Sequence, residues 1–299
     1  MTIATRQPKA DEIPELRRIW KTVFGDSDRE LDIFFKTYFD PQMTVAIDAG
    51  AGLAAAGYIF PVGELLCEGA MLPCAMIFAI AALPEYRNRG FGKAVVNELI
   101  SKGHAIGCKA VVLHPSEDSL FEFYSTRTPL RDWFYSDELI YSKDTFSNEK
   151  ETKLTAITTK EYILLRKGLL SGIPHIDFDL RAISYQESLC LQFGGGLYRA
   201  ETSCGAACAI VEKQSDGSVS VKELLTPQVN NNEVLSAIAS EFPAPEYLVR
   251  SPVTLSSPSP GKRRFGMLAI DTENELPVFN IQQFVSNGTI APHYGPAFD

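Results

Sequence analysis

Apolar positions recur at helical spacing near the N-terminus. Ile13, Leu16, Ile19, Trp20 and Val23 step by three and four, which places them on one face of a helix over residues 11–24. Gly25 stops that helix, and Asp26 or Ser27 can cap a second one running to Phe39, with Leu31, Phe34, Phe35 and Tyr38 inward. Asp40-Pro41 ends it. The pattern then changes to short apolar runs broken by Gly and Pro, over 44–47, 52–60 and 64–72, which predict an antiparallel meander. Residues 75–83 are apolar without alternation, as in a central strand buried on both faces. Phe91, Val95 and Leu99, flanked by Val96 and Ile100, predict a helix over 90–105 that stops at Gly107. A buried strand over 110–114, a helix over 117–125 capped by Ser116 and a strand over 133–141 follow.

Residues 143–153 are polar and charged and read as a linker. Beyond them the pattern restarts with helices over 158–170 and 185–193, interrupted at Gly194-Gly195-Gly196. Runs over 197–200, 206–212 and 218–225 predict a second meander, with Ser215-Asp216-Gly217 as a hairpin turn, then a helix over 232–242 and a short strand over 247–249. Both halves thus share an order: two helices, a meander, a helix, a strand. A degenerate duplication would give that order, although the residues themselves show no strong self-similarity. The expected domains are residues 1–145 and 146–299.

Composition changes this picture little. The chain has 299 residues, 45% hydrophobic and 22% charged, enough to bury cores without disulfides or metals. The net charge of −9 argues against a general nucleic-acid binder and mildly favours a cationic acceptor such as an amine. None of the six cysteines forms a CxxC pair, and His104 with Cys108 lacks a second pair to complete a zinc site. They read as small buried hydrophobes of a reducing compartment, so no metal is expected. No apolar run reaches membrane-span length and residues 1–10 carry no apolar leader core, so a soluble cytoplasmic protein with no membrane partner is expected.

The candidate chemistry sits in residues 77–93. A buried strand runs through Pro84-Glu85-Tyr86 into Arg87-Asn88-Arg89-Gly90-Phe91-Gly92-Lys93 and an amphipathic helix. First-turn N–H groups have no intrahelical acceptor, the helix dipole adds positive charge, and two glycines admit a bulky anion, so a pyrophosphate suits this turn. The third glycine of a dinucleotide fingerprint and the Gly-Lys-Ser/Thr ending of a P-loop are both missing.

Arg87-x-x-Gly90-x-Gly92 after a buried strand resembles the acetyl-CoA signature of the GNAT superfamily, (Gln/Arg)-x-x-Gly-x-(Gly/Ala). Residues 110–114 resemble that family's next strand, and Ser116 to Tyr124 resembles the helix that carries its tyrosine; the likeness covers residues 1–141. The family's usual Gly-Phe after this helix is replaced by Ser125-Thr126-Arg127-Thr128-Pro129. The resemblance implies an α/β (α+β) fold: a mixed, mostly antiparallel sheet flanked by helices, in tandem with a second GNAT-like domain.

It also implies N-acetyltransfer from acetyl-CoA, as co-substrate, to an amine. The thioester would lie between strands 75–83 and 110–114. Backbone groups of Ile80, Ala81 and Ala82 would pair with pantetheine, one N–H polarising the carbonyl as an oxyanion hole does. Arg87, Asn88, Arg89, Gly90, Phe91, Gly92, Lys93 and Ser119 would complete the cofactor site. Tyr124 would be the acid for the CoA thiolate, against the alternative of a packing aromatic.

The base stays open among His114, Glu64, Glu68, Glu85, water and a C-terminal carboxylate, the last by likeness to the enhanced-intracellular-survival type of aminoglycoside acetyltransferase. The second half, with Thr226 to Glu233 where the signature would stand, is expected to lack its own acyl-CoA site and to close the acceptor cleft, mediate a homodimer, or both. Lys262-Arg263-Arg264 reads as a solvated cluster. A non-catalytic acyl-CoA-binding or sensor protein is the alternative function.

Overall fold

The computed structural model describes residues 3–50, 52–146, 152–227, 231–254, 259–271 and 290–299. They divide into two compact units. The first holds described residues of 3–64, 71–133 and 266–271; the second holds those of 65–70, 134–265 and 290–299. Each unit is a mixed, largely antiparallel open sheet flanked by helices. Among the described residues no helix is long and apolar enough to cross a membrane.

The first unit opens with α1 (Ile13–Phe24) and α2 (Asp28–Thr37). Gly25 ends α1 in the left-handed region and its N–H bonds the Lys21 carbonyl. Ser27 caps α2 in a reciprocal box with Glu30. The meander β1 (Thr44–Asp48), β2 (Leu53–Cys67) and β3 (Ala70–Ala82) follows. The separate strand expected over 64–72 does not exist: that run crosses a two-residue hairpin turn at Glu68 and Gly69, both at positive φ. The apparent breaks at Pro61 and Pro73 are exposed positions inside two long strands, where a missing amide is tolerated.

Next come α3 (Phe91–Ala105), β4 (Ala110–Leu113) and α4 (Asp118–Arg127). Strand order in this unit is β1-β2-β3-β4-β12, with β3 and β4 parallel and the late strand β12 (Lys262–Ile270) antiparallel to β4 through residues 267–270. Val95, Val96 and Leu99 of α3 pack with Ile59, Ile77, Val111 and Leu113 into one core.

In the second unit β5 (Arg131–Ser142) pairs antiparallel with β11 (Glu246–Ser251). The remaining elements are β6 (Leu154–Ala156), α5 (Thr159–Leu169), β7 (His175–Phe178), α6 (Leu180–Gln192), β8 (Gly196–Thr202), β9 (Gly205–Lys213), β10 (Val219–Leu225) and α7 (Asn232–Glu241). Order runs β5-β11-β10-β9-β8-β6, with β10 and β11 parallel. Helix α6 begins five residues before the expected Tyr185, because Asp179 caps it by accepting from the Ala182 N–H at 2.8 Å. The short strands β6 and β7 and all of β12 were not read from sequence. Lys262-Arg263-Arg264 opens β12, with Lys262 and Arg263 exposed as expected and Arg263 also paired with Glu138.

Candidate active site

The parallel pairing of β3 with β4 runs only from Cys74↔Ala110 to Ile77↔Leu113. Strand β4 ends there, while β3 continues to Ala82. Among the described residues the β4 pairing therefore stops short of Ala79–Ala82. Side-chain direction also changes within this stretch. Ala75 and Ile77 face the core under α3, and so do Ile80 and Ala82, whereas Ala81 and Leu83 pack with α1 residues Leu16 and Ile19. Odd positions before Ala79 and even positions after it point the same way, which requires one extra residue in the strand. That residue is Ala79, at φ 47. A left-handed alanine costs roughly 1–2 kcal/mol, so the surrounding packing enforces it. A bulge of this kind takes a backbone N–H and C=O out of the ladder and offers them sideways. Phe78, just before it, packs on the Trp20 and Phe34 rings at 5.6 and 5.7 Å.

The turn after β3 is equally specific. A single 3-10 turn over Pro84–Tyr86 leads to Asn88 at φ 60 and Gly90 at φ 82, and α3 starts at Phe91. Gly90 is required by its φ, and a Cβ there would also crowd Ile3 Cδ1 at 3.2 Å. Gly92 is different, since a Cβ would meet only the Phe123 ring, at 3.8 Å. No side chain caps α3 and no acid lies in its first turn, so its N–H groups stay available to an anion. Arg87, Asn88, Arg89 and Lys93 are all exposed around it. Arg89 is anchored, donating to the Glu85 carbonyl at 3.1 Å with its guanidinium over the Tyr86 ring.

Tyr124 lies on α4 inside the same core, 6% exposed. Burial pushes its phenol pKa well up, and its hydroxyl has no hydrogen-bond partner among the described residues. His114 directly follows β4, half-buried, at the point where the two strands part. Ser119 is exposed in the first turn of α4 and its Oγ donates to Glu117 at 3.3 Å. Ser116 does not cap this helix: Glu117 holds the cap position, without a side-chain bond.

The acids weighed as bases scatter. Glu85 is exposed in the 3-10 turn. Glu68 occupies the hairpin turn before β3, a turn that belongs to the second unit. Glu64 lies near that same turn, on β2.

In the second unit residues 291–298 are buried. The His293 ring bonds Glu223 at 2.7 Å, and Glu223 also pairs with Arg166 at 3.0 Å and accepts from Tyr162 at 2.5 Å. Burial alone would raise the Glu223 pKa; Arg166 and His293 outweigh it and hold the carboxyl well below the usual range. Lys222 donates to the main-chain oxygen of Asp299, whose side chain pairs with Arg250 at 2.7 Å. Sequence reading had singled out the tail but not these partners, nor Ala79; a continuous apolar run carries no alternation in which a bulge could show.

Residues 4–127 match the acetyltransferase (GNAT) domain family. This segment is a GNAT domain. No curated protein sequence matches the chain. Solved structures do share the fold. A GCN5-related N-acetyltransferase from Anabaena variabilis aligns with TM-score 0.64 at 19% identity, covering 90% of this chain and 72% of that one. A probable N-acyltransferase from Enterococcus faecalis aligns at 0.63 and 13%, covering 90% and 73%. Eis1 from Mycobacterium abscessus aligns at 0.60 and 10%, covering 90% and 74%. At these identities the likeness concerns fold. The GNAT domain contains the β3 bulge, the Arg87 to Gly92 turn and Tyr124, so the family assignment and the local geometry fall on the same residues.

Proposed function

We propose that the GNAT domain transfers an acetyl group from acetyl-CoA directly to a primary amine of a small molecule or peptide. The observation that carries this reading is the bulged stretch Ala79–Ala82, which runs on past the end of β4 and leads straight into an uncapped, cation-rimmed helix N-terminus. An extended pantetheine arm can pair with such an edge as a short added strand. Backbone groups at Ile80, Ala81 and Ala82, beside the bulged Ala79, hold the arm, and an N–H directed off the ladder polarises the thioester carbonyl where negative charge develops. The pyrophosphate sits on the turn Arg87, Asn88, Arg89, Gly90, Phe91, Gly92 and Lys93, with Ser119 alongside. Nothing in the protein's own packing demands glycine at 92, which fits close approach of a ligand.

Tyr124 serves the leaving thiolate. Its raised pKa keeps it protonated, and because an ordinary thiol ionises near 8.5, full proton transfer from this phenol is uphill. Its part is therefore a hydrogen bond that stabilises sulfur charge in the transition state. His114 receives the proton of the attacking ammonium group, being an imidazole at the mouth of the strand gap. The second unit repeats much of the element order of the first, and the described residues around the start of α7 offer no comparable open turn.

Release of CoA thiol from acetyl-CoA, followed over a panel of amines, tests the reading. The Tyr124→Phe variant should lose about a hundred-fold in turnover while CoA affinity holds. Equal turnover would remove Tyr124 from the mechanism. CoA binding without acetylation of any amine would turn the reading toward a sensor.

A further inference from the structure

Two cations flank the C-terminus of α4 and are used differently. One guanidinium nitrogen of Arg131 donates to the carbonyls of Ser125, Thr128 and Leu130 at 3.0, 2.9 and 2.7 Å, closing the helix end. Arg127, in the last turn, is exposed and makes no hydrogen bond or ion pair among the described residues. Its guanidinium carbon instead lies 4.7 Å from the centroid of the Phe123 ring. A cation here gains from the helix dipole in any rotamer; the ring contact selects one. The same ring reaches the other way to α3, where a Gly92 Cβ would stand 3.8 Å from Phe123 Cζ. Phe123 thus links the first turn of α3 to Arg127.

This inference rests on the acyl-CoA reading of that turn. Beyond its pyrophosphate a CoA thioester continues into a phosphorylated adenosine. We infer that Phe123 and Arg127 form the platform for this adenosine, the adenine stacking on the guanidinium plane with the ring behind it. A planar cation laid on one aromatic face presents its other face to a second π system. Stacking of a base on such a platform changes affinity about ten-fold or more. The domain then selects free CoA thioesters over thioesters on a bare phosphopantetheine arm.

Equilibrium binding to the full chain tests this without an acceptor, using acetyl-CoA, acetyl-dephospho-CoA and acetyl-phosphopantetheine. Arg127→Ala should weaken the first two about ten-fold and leave the third unchanged. Arg127→Lys, which keeps charge but loses the plane, should behave like the alanine. The unfolding midpoint should hold in Arg127→Lys, which keeps the charge at the helix end, and fall only slightly in Arg127→Ala, which gives up that charge and the ring contact. Loss confined to acetyl-CoA, or recovery in the lysine variant, would replace the stack with a plain charge contact to the ribose phosphate. Equal loss for all three ligands, or none, overturns the platform. Wild type binding none of the three would instead bring down the acyl-CoA reading itself.

Discussion

The two units build the same parallel strand pair and then treat it oppositely. In the first, β3 and β4 pair for four residues, and the chain bulges at Ala79 just past the last pair, Ile77↔Leu113. In the second, β10 and β11 pair for three residues to Val221↔Val249, and β10 shifts register against β9 at Lys222, again just past the last pair. Past Ala79, β3 runs on beyond the end of β4. Past Val221, Lys222 and Glu223 bind Asp299 and His293, so residues 290–299 fill that region from within the chain.

The helices that follow differ in the same sense. Helix α3 starts from a left-handed glycine with no acid in its first turn. Helix α7 starts from Asn231 and carries Glu233 in its first turn, where the carboxylate accepts from Ser203 N–H at 2.8 Å. A helix N-terminus attracts anions in general; an acid built into its first turn occupies that attraction and repels a phosphate. The comparison teaches that, on a shared scaffold, turn chemistry decides which helix N-terminus stays open to an anion.

The largest effect should come from breaking the network that fills the second unit. Glu223 is fully buried and Arg166 nearly so. Glu223→Ala would strand a buried guanidinium, which costs about 3–5 kcal/mol. Denaturant unfolding of the full chain would show it, while CoA affinity well below the transition should stay at wild type. A drop in CoA affinity under those conditions would break the division of labour between the units.

A somewhat smaller effect follows pH. Burial, with Arg166 nearby, holds His175 neutral and lowers its pKa from 6.5 to about 4. The unfolded chain takes up this proton at higher pH than the folded one, so stability is complete above pH 6.5 and declines as pH falls toward 4. The full loss is about 3 kcal/mol. Thermal unfolding across that window should fall in wild type and flatten in His175→Asn; an unchanged slope in the variant assigns the loss to another group.

Much of the scaffold was legible because its signals are local. Gly25, the Ser27–Glu30 box and the Asp216-Gly217 turn each act within a few residues of themselves. The turn at Glu68-Gly69 was not legible, since Pro61 and Gly63 stood as stronger punctuation nearby. Strand β12 opens on three basic residues, and what draws Arg263 into a strand is Glu138, far away in sequence. Lys222 and Glu223 look like solvent-facing strand residues until Arg166, His293 and Asp299 arrive around them from other parts of the chain. The glycine turn itself was visible in the sequence, because the helix start and the cations are contiguous. The bulge that aims a backbone group beside it was not, because its evidence is a change of packing partners.

The smallest expected change in stability is also the sharpest probe of the open site, and it uses the two glycines against each other. Gly90 sits at φ 82, so Gly90→Ala imposes a left-handed alanine costing about 1–2 kcal/mol, and crowds Ile3 besides. Stability and CoA affinity should fall together, since the N–H groups aimed by that conformation are disturbed. Gly92 lies inside α3 with room for a methyl group, so Gly92→Ala should hold stability or raise it slightly through helix propensity. On the proposed acyl-CoA reading its CoA affinity should nevertheless fall, because the added Cβ would crowd a pyrophosphate approaching this backbone. The contrast separates a glycine kept for the fold from one kept for the ligand. If Gly92→Ala binds CoA as wild type does, the phosphates do not come close to this helix turn, and the asymmetry between α3 and α7 would need another cause.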